Sequence, residues 1–360
     1  MTPLPTSAPD PMGNLERSRS RPPLGGSTAV ADAMHAALDG VARPIGGDRV
    51  GSAMRELIAR HLANPPFPGS GGTLQRWRIL AAVGALDLSL AKLYEGHTDA
   101  LAILNELGGV PAEGLWAVWA AEPPDARVVF RAGRHGGSLH GVKAWCSGAS
   151  DVDHAVMTTW TERDEPTLVS VDLRQPDVAV ETDSWKAVGM AASRSGTVRF
   201  DGARAHALGE PGDYVNRPGF WQGGAGIAAV WFGGATAVAQ RLAASPRLTN
   251  DAHAASHLGA IDTALRGARA LLIETAGWID ARPRADACAA ALRVRATVEA
   301  AANDVLVRVG RALGPGPLCA DAVHAQRCAD LTIFLRQSHA EHDLAALGRQ
   351  VAGDPSSWAL

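Results

Sequence analysis

The sequence predicts an α+β protein in three parts: an N-terminal helical domain, a small β-barrel or sandwich in the middle, and a C-terminal four-helix bundle. Three observations predict it. Residues 74–107 carry apolar side chains at helical spacing. From Leu115 to Gly209 the pattern changes to short Val-rich or alternating runs between turn residues. After Gly219 the chain becomes helical again, in long Ala-rich stretches separated by prolines. The boundaries fall at 28–112, 113–215 and 216–352, behind a tail of residues 1–27.

The tail is rich in Pro, Ser and Arg and has no apolar periodicity, so disorder is expected there. Ser27–Val41 and Val50–Leu62 read as helices, and the PPFPGSGG stretch of residues 65–72 breaks the second. Leu74–Leu107 reads as two helices closed by a glycine C-cap signal. In the middle part, the runs LWAVWAA, ARVVF, SLHGVKAW, HAVMTTW, TLVSVDL, VAVET and GTVRF recur between turns, as the strands of a small barrel or sandwich do. In the last part, four helices are expected: Ala225–Ala244, His257–Ile279, Ala285–Leu313 and Cys319–Leu347. Pro246, Pro283 and the Pro315–Pro317 turn separate them.

Composition excludes several classes. The 360 residues carry a formal net charge of −3, which argues against a nucleic-acid partner that would need a basic face. No apolar run approaches the roughly 20 residues that span a bilayer. The longest, Gly223–Ala239, is interrupted by glycines. The first residues lack a basic segment followed by an apolar one, which argues against a signal peptide. Cys146, Cys288, Cys319 and Cys328 show no CxxC spacing, so neither a zinc site nor a disulfide framework is expected, and no metal is assigned. These features describe a soluble, cytoplasmic protein.

Two stretches carry the chemistry. The first is Leu139–Ser150, LHGVKAWCSGAS, in which Trp145 precedes Ser147 by two residues. On an extended chain both side chains share a face, and a flat aromatic beside a hydroxyl can wall a flat, hydrogen-bonding cofactor. A core tryptophan beside an incidental hydroxyl is the plainer reading. The second is Val188–Ala205, VGMAASRSGTVRFDGARA, followed by Leu208-Gly209-Glu210.

With the α-β-α order, these stretches resemble the acyl-CoA dehydrogenase superfamily of flavoproteins over residues 74–348. In that family a strand carries a Trp-Ile-Thr/Ser segment against the flavin ring, and Trp145, Cys146 and Ser147 stand in those places. Gly189, Met190, Ser193, Phe200 and Asp201 match a second family turn and strand, which makes Ser193 a further cofactor-binding candidate. Gly310, Gly314 and Gly316 in VGRALGPGPL resemble a glycine turn facing the cofactor's adenosine half. The resemblance implies FAD, or alternatively FMN. It also implies a homodimer or homotetramer, and a small-molecule substrate such as an acyl-CoA or acyl-carrier thioester.

The departures bear on function. The family's TEp.aGSD loop survives only as Ala121-Glu122-Pro123-Pro124-Asp125, without the Gly-Ser pair. The R…FG segment that helps hold the flavin's pyrophosphate is replaced by Ala244–Asn250, ASPRLTN. A dehydrogenase also needs a carboxylate to remove the activated α-proton. Registered on the family's RDA motif, Arg327-Cys328-Ala329 sets Arg336 where that Glu usually stands, and residues 215–250 contain no acid at all. Arginine stays protonated and cannot act as the base.

Near Arg336 stands Ser338-His339-Ala340-Glu341-His342-Asp343. On a helix, His339 and His342 would share a face, with Asp343 four residues from His339. The segment resembles the (S/T)-H-x-x-H-D of flavin monooxygenases of the same fold, which hydroxylate through a C4a-hydroperoxyflavin, and His97 resembles the histidine of their first helical domain. A solvated helix face is the bland alternative, and a metal held by His339, His342 and Asp343 lacks a further ligand cluster. Glu341 is the carboxylate available to replace the missing base; Glu95 and Glu106 have no motif support, and His135 and His140 read as surface residues. Three functions stay open. By whole-chain similarity the first is α,β-dehydrogenation of an acyl thioester, the second is monooxygenation through His97 and the His339/His342 pair, and the third is a non-catalytic member.

Overall fold

The computed structural model describes residues 27–134, 136–352 and 358. Of the expected disordered tail only Ser27 is among them, and His135 also lies outside the described residues.

Four helices open the chain: α1 (Ser27–Ala37), α2 (Gly47–Ala59), α3 (Thr73–Leu86) and α4 (Leu88–Glu106). Asp87 divides the last two. Its backbone is extended, at φ −162°, and its carboxylate accepts the Leu90 N–H at 2.9 Å, an N-cap that starts a new helix. Helix α4 is buried along nearly its whole length.

Seven strands follow: β1 (Trp116–Trp119), β2 (Val128–Gly133), β3 (Gly136–Cys146), β4 (His154–Thr161), β5 (Pro166–Asp172), β6 (Val178–Glu181) and β7 (Gly196–Leu208). They close into a small barrel. On one edge β4 pairs in parallel with β1 and then with the end of β2, and on the other with β5. Strands β2, β3, β7 and β5 complete the circuit in antiparallel order, and β6 lies along β7. Closure leaves few free sheet edges, and the alternating runs put Leu139, Val169, Val198 and Phe200 inside.

The chain ends in α5 (Asp213–Asn216), α6 (Gly219–Ala243), α7 (Ala252–Ala281), α8 (Cys288–Leu313), α9 (Gly316–Ala320), α10 (Ala322–Phe334) and α11 (Glu341–Val351). Helix α6 crosses α3 at very short range. A Cβ on Gly233 would fall 1.9 Å from the Ala81 carbonyl oxygen, and one on Gly84 2.4 Å from that of Val230, so both positions require glycine. The crossing ties the N-terminal helices to the bundle through one apolar core. Among the described residues, no helix is long and apolar enough to cross a membrane.

The fourth bundle helix departs from expectation. The stretch 319–347 is not continuous: α10 stops at Phe334, Leu335–Gln337 form a 3₁₀ turn, and α11 begins only at Glu341. Between them Ala340 has φ 43° and ψ −112°, a conformation that no α-helix accommodates. His339 therefore lies outside the helix that the sequence reading gave it.

Candidate functional site: a crevice between helix α4, strand β1 and the Trp145–Ser147 segment

Strand β3 breaks its register against β7 between Lys143 and Cys146. At this bulge Trp145 takes a left-handed backbone, φ 56°, and the residue is 60% exposed. The extended-chain reading is thus corrected. Trp145 is turned outward by the bulge, and Ser147 lies in the turn after the strand rather than on the same face of it. Cys146, between them, is fully buried; burial pushes its thiol far up, and its Sγ lies 3.3 Å from the Lys143 carbonyl.

Two networks fix this segment. On the barrel side, the buried Lys143 ammonium donates to the Thr158 carbonyl at 2.7 Å and to Glu122 at 3.1 Å. Glu122 also accepts from the Thr158 hydroxyl and the Trp160 indole N–H, so it ties the loop at residues 121–125 to β3 and β4. On the other side, the buried Ser193 hydroxyl donates to the Met190 carbonyl at 2.7 Å and lies 2.9 Å from that of Ser195. Ser195 donates to Ser147 Oγ at 3.4 Å, and Ser193's carbonyl accepts the Gly148 N–H at 2.8 Å. The turn from Met190 to Arg194, left-handed at both ends, is in turn held to α10. The buried Asp330 carboxylate accepts the Met190 N–H, and Gly189 packs against the Ala329 carbonyl.

Ser147 lines a narrow crevice with Lys92, Leu93 and Gly96 of α4, Trp116, Ala117 and Val118 of β1, and Val152. Lys92 is its one charged lining residue among those described. The Lys92 ammonium pairs with Glu95 one helical turn on and lies 5.8 Å from the centre of the Phe334 ring. Next to Gly96, His97 is buried, and its Nδ1 accepts the Trp116 backbone N–H at 3.1 Å. That bond sets the neutral tautomer with hydrogen on Nε2. Burial lowers its pKa to about 4, so His97 remains uncharged at neutral pH.

The break between α10 and α11 gathers the other candidates. Arg295 of α8 donates to the Gly224 carbonyl of α6 at 3.0 Å and to the Gln337 carbonyl at 3.2 Å, and its guanidinium lies over Trp231. Burial lowers its pKa while Asp343, Glu299 and Glu95 oppose the shift. His339 and His342 are exposed, with their Nδ1 atoms 3.5 and 3.7 Å from Asp343 Oδ1. The three side chains bring their potential ligand atoms within 4.8 Å of one another. Arg336 also points to solvent, paired with Glu299 at 3.3 Å, and Glu341 is exposed at the start of α11. Gly314 caps α8 at φ 70° and Gly316 opens α9; a Cβ at either would meet nothing within 4 Å.

The structure thus brings Ser193 to Ser147 through Ser195, and His97 beside the crevice. It keeps Arg336, Glu341 and the histidine pair at the surface of the α10–α11 break. Sequence reasoning missed Lys92 and Arg295. Lys92-x-x-Glu95 has the spacing of an ordinary surface helix pair, and only the packing of β1 on α4 shows where it stands.

No protein-family model matches this chain, and no curated protein matches it. Solved structures do. KijD3 in complex with FMN and a dTDP-linked amino sugar aligns with a TM-score of 0.77 at 18% identity, covering 92% of this chain and 95% of its own. Butyryl-CoA dehydrogenase from Megasphaera elsdenii aligns at 0.75 and 14% identity, covering 91% and 98%. The chain has the acyl-CoA dehydrogenase-like fold. FMN-bound TdsC from Paenibacillus sp. A11-2, a dibenzothiophene monooxygenase, aligns at 0.72 and 16% identity, covering 91% and 96%. The acyl-CoA dehydrogenase-like fold therefore accommodates both a dehydrogenase and a monooxygenase at similar distance from this chain, and fold alone does not choose between them.

Proposed function

We propose that this protein is a flavin-dependent oxidoreductase that transfers oxygen to a small-molecule substrate, and that it holds the flavin against Trp145 and Ser147. The single observation that carries the choice of reaction is the crevice lining. Beside Ser147 stands a cation, Lys92, paired with Glu95; the neutral imidazole of His97 is buried behind the lining on the Trp116 backbone, and the position of the usual base is an exposed, ion-paired arginine. Removal of an α-proton from an acyl thioester needs a carboxylate there. Stabilising negative charge that develops on bound oxygen needs a cation and a hydrogen-bond donor instead.

The residues fit a flavin. An exposed indole held on a rigid bulge offers a stacking surface. Ser147 accepts from Ser195 and keeps its own hydrogen free to donate to a ring atom. A bound reduced flavin supplies two electrons to dioxygen, so that one oxygen atom enters the substrate and the other leaves as water. In this reading Lys92 stabilises developing negative charge. His97, anchored by Trp116, offers its Nε2–H, and Asp343 orients His339 and His342 to relay a proton from solvent. Reduced flavin would come from a separate reductase.

FMN suits the chain better than FAD. Arg247, the one charged residue of the segment that replaces R…FG, donates to the Ala312 carbonyl at 3.2 Å. KijD3 and TdsC bind FMN, TdsC also binds indole, and KijD3 a nucleotide sugar. These support a compact polar or aromatic substrate. The exposed Trp145 also suits a homodimer or homotetramer, and four free cysteines suit the cytoplasm. The second reading, an acyl-thioester dehydrogenase, has one observation in its favour: Glu95, paired with Lys92, is a largely buried carboxylate close to the crevice.

The test is reoxidation. Protein loaded with FMN is reduced anaerobically and mixed with oxygenated buffer in a stopped-flow spectrometer. The reading expects the oxidised-flavin band to return after a lag, and His97→Phe to shorten that lag. A single-phase return identical to that of free FMN, in both proteins, contradicts it.

A further inference from the structure

Away from the crevice, a second, open cleft lies between the N-terminal helices and α10. It is lined by Arg43 and Pro44 from the segment after α1, by Leu86, Asp87 and Leu88 at the α3–α4 junction, and by Gln326, Arg327 and Asp330 of α10. Two guanidiniums from distant parts of the chain therefore share one concave site. Each donates a single bond to the last turn of α3: Arg43 to the Leu86 carbonyl and Arg327 to the Ala85 carbonyl, both at 3.2 Å. Among the described residues neither lies within ion-pair distance of a carboxylate.

The cleft also carries the carboxylates of Asp87 and Asp330, and Asp87 acts electrostatically on both guanidiniums, but the oxygens of both already accept other donors. Asp87 accepts the Leu90 N–H at 2.9 Å and the Ile45 N–H at 3.4 Å. Asp330 accepts the Met190 N–H and the Gln326 amide. What the cleft has left to offer is donors, since each guanidinium carries five N–H groups and uses one. Burial lowers the pKa of both arginines, and they remain protonated at neutral pH. A half-buried pair of guanidiniums with spare donors matches a tetrahedral oxyanion, which accepts several charge-assisted hydrogen bonds at once.

We propose that this cleft binds a phosphate-type oxyanion between Arg43 and Arg327, clamping α10 to the α3–α4 junction. The site is separate from the Ser147 crevice, and its existence does not depend on the flavin reading. Free inorganic phosphate and the phosphate of a monoester share the chemistry recognised here.

Calorimetric titration of the full chain with inorganic phosphate, sulfate and adenosine monophosphate, at chloride-matched ionic strength, tests it. Saturable binding of phosphate and sulfate is expected, weakened about tenfold or more in Arg43→Gln and Arg327→Gln. Tighter binding of the nucleotide than of phosphate assigns the site to a phosphomonoester; equal or weaker binding assigns it to the free ion. Because either variant removes a bond to α3, a measurement on the unsubstituted protein stands beside it. Phosphate is expected to slow phenylglyoxal modification of Arg43 and Arg327, followed by peptide mass. No saturable binding above the chloride control, unchanged affinity in both folded variants, or modification rates indifferent to phosphate overturns the proposal.

Discussion

Asp330 accepts the backbone N–H of Met190 from 140 residues away, and with that bond α10 holds the turn that positions Ser193, Ser195 and Ser147. Burial raises the Asp330 pKa from 3.8 to about 6. A carboxyl raised in the folded state contributes stability that is fully present below its unfolded value and lost as pH rises through the folded one. Asp330→Asn keeps an acceptor for Met190 but cannot ionise. Urea unfolding should therefore show the wild type losing stability relative to Asp330→Asn between about pH 4 and pH 6. Parallel profiles would show that the carboxyl is not held neutral.

His97 moves stability the opposite way over an overlapping window. Burial lowers its pKa from 6.5 to about 4, so the unfolded chain takes up a proton that the native state refuses. Stability from this group is lost as pH falls from 6.5 toward 4. His97→Asn, which retains an acceptor for Trp116, should flatten that loss. His97→Ala orphans the Trp116 N–H and leaves a cavity, at a cost of roughly 2–4 kcal/mol at neutral pH. A cost under about 0.5 kcal/mol would mean that His97 does not anchor β1 to α4.

Trp145 should separate stability from cofactor retention. Its indole is mostly exposed and its backbone left-handed, so Trp145→Gly removes little packing and relieves strain of about 1 kcal/mol. Flavin fluorescence quenching should nevertheless weaken about tenfold or more in Trp145→Gly, and measurably in Ser147→Ala. Unchanged flavin affinity in both would remove this segment from the cofactor site.

Arg336 tests the missing base by restoration. Arg336→Glu puts a carboxylate at the position the dehydrogenases use, but beside Glu299, now without its partner. The change should cost on the order of 1 kcal/mol in thermal unfolding and confer no acyl-CoA-dependent flavin reduction. Gain of that reduction would show that residue 336 faces the reaction centre after all.

The fold was legible because each part keeps one period: helical spacing in α3, α4 and α6, and alternation in the runs that became β1 to β7. Closure of the barrel was not, since it depends on β4 sharing one edge between β1 and β2 in parallel, a pairing without local signature. The Trp145–Ser147 segment was legible as a motif, but its geometry was not. A bulge and a positive φ at a tryptophan leave no trace in the residue types. At Ser338–Asp343 the helical pattern continues through a real break, because apolar spacing persists while Ala340 takes a backbone that no propensity for alanine foretells. Lys92 and Asp330 gain their surroundings only from elements far away in sequence, which one-dimensional reading does not reach.

The most direct test of the central claim is an anaerobic titration of the flavin-loaded protein with a panel of short-, medium- and long-chain acyl-CoA thioesters, followed by absorbance. With Glu95 held in its ion pair with Lys92 and Arg336 at the position of the usual base, the oxidised-flavin band should persist through the whole panel. Bleaching of that band by any acyl-CoA, lost in Glu95→Gln, would contradict the oxygenase reading and make Glu95 the base of a dehydrogenase.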